Sequence, residues 1–184
     1  MQKKAVIILT EGFEEIETVT PADILRRGGV SVTLASIDER TKVKGSRGIV
    51  ICADDLLSRI DASEFDVIIL PGGPGAKGLT SSETVSALIK DFAAKGKLIA
   101  AICAAPAVVL APTGVLDGKK ATGYPGSEKD FRESTEFSQD SVVIDGNIIT
   151  SRAPGTAAAF GFAVLETLMD KSTADKVKKG MLFT

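Results

Sequence analysis

The stretch Leu98-Ile99-Ala100-Ala101-Ile102-Cys103-Ala104-Ala105-Pro106 limits what this chain can fold into more than any other. Leu98 to Ile102 is short, unbroken and uncharged, the pattern of a central parallel strand covered on both faces. Pro106 suits the first turn of a helix, where a missing N–H costs nothing. The AVVLA run after it supplies the helix body. Cys103 therefore falls at a sharp strand-to-helix turn. Such a turn lifts a side chain out of the sheet and aims free backbone N–H groups and a positive dipole end at it. A thiol placed there is expected to ionise more easily than a free one.

The rest of the chain alternates strand and helix patterns around this centre. Lys4 to Leu9 reads as a first buried strand. Ile16, Val19, Ile24 and Leu25 follow a helical period closed by Gly28-Gly29, with Pro21 predicting a kink or a late start. Val30 to Ser36 alternates like a strand, and VKGSRGIVICAD reads as a short β excursion around Gly45-Ser46. Leu56 to Ile60 reads as a helical turn, and Val67 to Leu70 as a buried strand ended by Pro71-Gly72-Gly73-Pro74-Gly75. Ser82 caps a helix with Val85, Leu88, Ile89 and Phe92 on one face. Lys120 to Thr122 reads as a short strand, and Ser127 with Asp130 resembles a capping box. VVIDGNIIT is a hairpin signal with Asp145-Gly146 at its turn. An Ala-rich helix opens at Pro154-Gly155-Thr156, and Thr173 opens a terminal one. The predicted class is α/β, a mainly parallel, doubly wound sheet, as one domain over residues 1–184.

Composition excludes several functions. The 184 residues carry 22 basic and 24 acidic side chains, with no basic block that marks a nucleic-acid partner. No apolar run approaches a membrane span. No secretory signal pattern precedes the first strand, and two cysteines do not make a disulfide framework, so a cytoplasmic setting is expected. There is no histidine. That removes Ser-His-Asp and Cys-His hydrolytic arrangements and most zinc sites. No metal or cofactor is expected, and acid–base work falls to carboxylates, Lys, Tyr or the thiol.

In open parallel sheets, ligands bind beyond the carboxyl ends of the strands. Three unusual stretches follow strands: Gly12 to Glu17, Pro71 to Gly75, and Cys103 with Ala104. Glu14 and Glu15 suit a helix first turn, with Glu15 pointing away from the face that Glu14 and Glu17 share. Glu17 lies further in, beside Ile16 and Val19, where burial raises a carboxyl pKa and lets it hand on a proton. Gly72-Gly73 is either a tight turn or a pair of amides for a ligand oxygen. Cys52, in IVICA, reads as a buried and inert small apolar residue. Arg47 and Arg152 either bind an anionic group or brace the structure.

These residues resemble the ThiJ/PfpI superfamily, in its DJ-one branch. EGFEEIETVTPADILRRGG, GSRGIVICAD, DVIILPGG, LIAAICAAP and TSRAPGTA carry the resemblance across nearly the whole chain. It implies a flavodoxin-like homodimer with helices on both faces of the sheet. It also implies an oxidisable nucleophile at Cys103, a protonated glutamate at Glu17 against the sulfur, and an oxyanion pocket at Gly72 and Gly73. Arg27 and Arg47 match arginines near that pocket at the dimer interface. Tyr124 stands where close relatives place a histidine, either donating a hydrogen bond to a bound oxygen or packing. Ala104 replaces the histidine of the protease branch, which disfavours proteolysis.

The activity so implied is a glutathione-independent glyoxalase converting methylglyoxal to lactate, or a related deglycase acting on glycated protein. In this scheme Cys103 attacks a small reactive carbonyl, the amides of Gly72, Gly73 and Ala104 steady its oxygen, and Glu17 moves the proton. The rival expectation is a redox sensor or chaperone whose Cys103 climbs to sulfinate without turnover. A third is a binding domain with a vestigial cysteine.

Overall fold

The computed structural model describes residues 2–183. Eleven strands and six α-helices alternate along them. The strands are β1 (Lys4–Leu9), β2 (Ser31–Ser36), β3 (Lys42–Lys44), β4 (Val50–Cys52), β5 (Asp55–Leu56), β6 (Val67–Leu70), β7 (Leu98–Ile102), β8 (Lys120–Ala121), β9 (Glu136–Phe137), β10 (Val142–Asp145) and β11 (Ile148–Ser151). The helices are α1 (Glu15–Arg27), α2 (Ala76–Ser81), α3 (Glu83–Ala94), α4 (Ala111–Thr113), α5 (Ala157–Leu168) and α6 (Lys171–Gly180).

Seven strands form the main sheet in the order β10-β11-β7-β6-β1-β2-β5. All neighbours run parallel except the β10–β11 hairpin, which adds an antiparallel edge. β1, β6 and β7 lie centrally, and every residue from Ala5 to Leu9 and from Val67 to Leu70 is fully buried. Their side chains alternate between two cores. Ala5, Ile7, Leu9, Ala100 and Ile102 meet one core beneath α1 and α5. Val6, Ile8, Ile99 and Ala101 meet the other beneath α2 and α3. Continuous apolar strands are thus required, because neither face is left to water.

Several sequence expectations need correction. α1 runs through Pro21 from Glu15 without a late start, although Pro21 has no N–H for the Glu17 carbonyl. α5 packs closely there: a side chain on Gly161 would lie 3.1 Å from Pro21 Cα. Ile16 and Val19 do not face the core; they are 51% and 50% exposed, and Thr18, Pro21, Ala22, Ile24 and Leu25 are buried instead. The helix after Cys103 begins as a wide π-type segment, Pro106–Leu110, before the single turn of α4. Ser127 makes no capping box; its hydroxyl donates to the Tyr124 carbonyl at 2.7 Å, ahead of a 3-10 turn. Cys52 is exposed, not buried, because β3 and β4 form a separate two-stranded hairpin outside the main sheet. α6 starts at Lys171, where Asp170 Oδ1 caps the Thr173 N–H.

Candidate active site at the β7 elbow

β7 delivers Cys103 to the carboxyl edge of the sheet, where its N–H donates to the Ser151 carbonyl at 2.9 Å. The chain then turns with Cys103 at φ 66°. This left-handed conformation costs a non-glycine residue about 1–2 kcal/mol. Simple alternation would send the Cys103 side chain to the core of Ile99 and Ala101. The turn sends it instead to the α1 side, where it joins the other core. Cys103 is 7% exposed.

Glu17 meets it from the first turn of α1 and is completely buried. Glu14 caps that helix, its Oε2 accepting the Glu17 N–H at 2.8 Å. In a capping box Glu17 would reach back to the Glu14 N–H. Here the Glu14 N–H donates to the Gly72 carbonyl at 3.1 Å, and the Gly72 N–H donates to Glu17 Oε2 at 2.8 Å. The loop after β6 is thus stitched to the start of α1. Glu17 Oε1 is buried with no hydrogen-bond partner. Although the side chains of Glu17 and Cys103 act on each other's titration, no aligned hydrogen bond joins them.

Gly72 is the meeting point of the site. A Cβ there would lie 2.7 Å from Cys103 Cβ, 2.9 Å from Glu17 Oε2 and 3.0 Å from Ala104 N. Gly73 takes φ 84°, and a side chain there would strike Gly12 O at 2.7 Å. The two glycines are therefore more than a turn; they allow three segments to close on one thiol. Their amides are not equivalent. That of Gly72 is committed to Glu17, whereas those of Gly73 and Ala104 act on the sulfur. Of the three amides expected to steady a ligand oxygen, those of Gly73 and Ala104 face the thiol and that of Gly72 faces the carboxyl.

The electrostatics follow from this geometry. Burial pushes Glu17 up from 4.5 to about 7, against the lowering pull of the nearby Cys103 thiol and of the Gly72 N–H hydrogen bond. A helix N-terminus would lower it, by up to about 2 kcal/mol in partly buried geometries, and burial outweighs that. Burial, then the Glu17 charge, push Cys103 up to about 12, while the Gly73 and Ala104 amides pull it down. The easier ionisation expected of a lone elbow cysteine does not hold for this one, because it shares a buried site with a carboxyl group. The two titrate as a unit. The first proton leaves near 7, and the second only near 12, because it would leave two negative charges side by side. Two amides act on the sulfur, and one is bonded to Glu17. Between about 7 and about 12 the pair carries one negative charge and holds one proton between a carboxyl and a thiol.

The other candidates lie further out. Tyr124 is half exposed, and its N–H donates to the Cys103 carbonyl at 2.8 Å, placing its loop on the rim. Arg152 follows the Ser151 that pairs with Ile102; its Nη1 donates to the Gln139 carbonyl at 3.2 Å. Arg47 lies in the β3–β4 turn, its N–H bound to Glu15. Arg27 is not brought to the site within the chain. Its Nε pairs with Asp23 Oδ2 at 2.8 Å, ten residues beyond Glu17, or about 15 Å along the helix. Glu15, read from sequence as an ordinary first-turn acid, is 5% exposed and binds the β3–β4 turn. Its partners lie 31–34 residues away, so no local pattern signals them. Among the described residues, no three His, Cys, Asp or Glu side chains converge as a metal site.

Fold and site together define a doubly wound α/β protein with a cysteine at its central elbow and a buried carboxylic acid beside it. Comparison with known proteins narrows that class: residues 3–167 match the DJ-1/PfpI family, and the chain belongs to it. It is 42% identical to Protein dj-1beta of Drosophila melanogaster over 99% of this chain and 98% of that protein. The crystal structure of Drosophila melanogaster DJ-1beta superposes with a TM-score of 0.95 at 43% identity, covering 100% of both chains. The Caenorhabditis elegans protein named glutathione-independent glyoxalase DJR-1.2 is 38% identical over 91% of this chain and 89% of its own. The structure of oxidized Toxoplasma gondii DJ-1 matches with a TM-score of 0.94 at 36% identity, over 99% of both chains.

Proposed function

We propose that the protein is a glutathione-independent glyoxalase that converts methylglyoxal, or glyoxal, to the corresponding hydroxy acid, and that deglycation of protein is a side of the same chemistry. The observation that carries this is the convergence of Cys103, Glu17 and the Gly73 and Ala104 amides on one buried point. The glyoxalase name of the Caenorhabditis elegans relative supports the choice of substrate.

Cys103 sulfur bonds to the aldehyde carbon, and the proton shared with Glu17 passes to the former carbonyl oxygen, giving a hemithioacetal. The Gly73 and Ala104 amides steady that oxygen as charge develops. Glu17, now a carboxylate, takes the hydrogen from the former aldehyde carbon as a proton. It returns the proton to the neighbouring carbon, through an enediol, leaving a thioester on sulfur. Water cleaves the thioester, releasing lactate and restoring the thiol. A carboxyl that titrates near 7 suits both directions of transfer. Tyr124, in place of a histidine, is left to bind rather than to act as base.

The working unit is a cytoplasmic homodimer. Ile16 and Val19 of α1 lie half exposed, as do Ile49 and Val50 of the β3–β4 hairpin. Apolar side chains at this density suit a self-complementary surface. Among the described residues no helix is long and apolar enough to cross a membrane.

The test is lactate formation from methylglyoxal without glutathione. Cys103→Ser is expected to abolish it, and full activity in that variant would sink the mechanism. A second reading, redox sensing at the same thiol, is favoured by the oxidized Toxoplasma gondii relative. It predicts mass gain at Cys103 under mild peroxide; oxidation confined to the exposed Cys52 would count against it.

A further inference from the structure

Glu15 is a buried carboxylate that the proposed chemistry leaves unused. Its Oε1 accepts the Arg47 N–H at 2.7 Å and the Ile49 N–H at 3.4 Å, and its Oε2 accepts the Ser46 hydroxyl at 3.2 Å. These donors line one tight turn, closed by a bond from Gly45 N–H to the Ile49 carbonyl at 2.8 Å. The hydrogen bonds hold Glu15 below the ordinary carboxylate range despite burial. Gly45 packs directly on this group; a side chain there would lie 2.8 Å from Glu15 Cγ.

The turn is tied to more than Glu15. Ser46 N–H donates to the Phe13 carbonyl and Gly12 N–H to the Lys44 carbonyl, each at 2.8 Å. Gly75 N–H donates to the Gly12 carbonyl at 3.0 Å, and Glu14 N–H to the Gly72 carbonyl at 3.1 Å. A continuous set of bonds thus runs from the β3–β4 turn, through Gly12–Glu15, to the loop that presents Gly72 and Gly73. Glu17 sits two residues beyond Glu15 on the same helical turn.

We propose that Glu15 is a positioning residue for the Cys103 site: its carboxylate anchors the Gly45–Ile49 turn against Gly12–Glu14, and that anchor fixes the Gly73 amide and Glu17 around the sulfur. The inference rests on the Cys103–Glu17 pairing proposed above, but not on turnover. It also makes the hairpin end of the exposed apolar face, Ile49 and Val50, part of the same rigid unit as the thiol.

The experiment follows the rate of Cys103 alkylation by iodoacetamide against pH, site by site by mass spectrometry, in the full chain. Glu15→Ala is expected to displace the midpoint by about one pH unit, about tenfold in reactivity at a fixed pH. Glu15→Gln keeps a carbonyl for the Arg47 N–H and an amide to meet Ser46 Oγ, so it is expected to restore the wild-type profile. Gly45→Ala, which pushes on Glu15 without replacing it, is expected to reproduce the Glu15→Ala displacement and decides the matter if Glu15→Ala does not fold. Glu14, the further charge acting on Glu17, is unchanged in all three. A wild-type pH profile in folded Glu15→Ala or Gly45→Ala protein overturns the proposal, as does a Glu15→Gln profile no closer to wild type. Because alkylation needs no turnover, a wild-type protein that forms no lactate defeats the glyoxalase proposal and leaves this test readable.

Discussion

Replacing Glu17 by Gln keeps the side-chain shape and an acceptor for the Gly72 N–H, while removing the only titration expected of this carboxyl. In the wild-type protein burial pushes Glu17 from 4.5 to about 7. Between those values the folded chain holds a proton that the unfolded chain has released. The stabilising contribution is therefore fully present below 4.5, falls as pH rises, and is gone above about 7. The interval corresponds to about 3 kcal/mol at about 1.4 kcal/mol per pH unit. That is a large part of the roughly 5–15 kcal/mol that holds a typical domain together. Denaturant unfolding of both proteins at a series of pH values measures it, and contributions common to the two chains cancel in the difference. Glu17→Gln is expected to gain about 3 kcal/mol on the wild type between about pH 4.5 and 8. A difference that stays flat, or slopes the other way, would refute the assignment of Glu17 as a buried, proton-holding carboxyl.

Two further outcomes follow from the packing. Gly72→Ala places a methyl 2.7 Å from Cys103 Cβ and 3.0 Å from Ala104 N, where backbone cannot give way. It should cost about 1–3 kcal/mol in stability and remove most Cys103 alkylation and lactate formation; near-normal alkylation would mean that the three segments do not close as described. Ile16→Asp with Val50→Asp puts charges on the exposed face of α1 and the hairpin, and sedimentation should then report a monomer under conditions where the wild type is dimeric. A dimer that survives both changes would move the interface elsewhere.

Much of the fold was legible because burial on both faces leaves a plain mark. Val67–Leu70 and Leu98–Ile102 read as buried strands and are central ones, and Val142–Asp145 with Ile148–Ser151 forms the hairpin that Asp145-Gly146 announced. Ser82 caps α3 as read, its Oγ accepting the Val85 N–H at 3.3 Å. Errors arose where local pattern and tertiary placement diverge. Ile16 and Val19 fit a helical period, but the core takes the adjacent stripe and leaves them outside. Cys52 sits in an apolar run, but its strand is half of a separate two-stranded hairpin: Val43 and Ile51 pack on the core, and Cys52, paired with Lys42, is exposed.

The elbow shows the same division. Sequence by itself determined that a parallel strand ends on Cys103, that no histidine can serve it, and that Gly72-Gly73 follows a neighbouring strand. Only the tertiary structure decided which side of the sheet the thiol faces, because that depends on one positive φ at Cys103. Only it assigned the amides, giving that of Gly72 to Glu17 and leaving those of Gly73 and Ala104 for the sulfur. The ionisation of the pair was settled at that level too. A helix-end thiol alone favours the anion, but a carboxyl brought from 86 positions away in the chain shares its burial, and the proton belongs to both. Local sequence sets backbone and hydrophobic pattern; desolvation and charge pairing are sums over neighbours that only folding assembles.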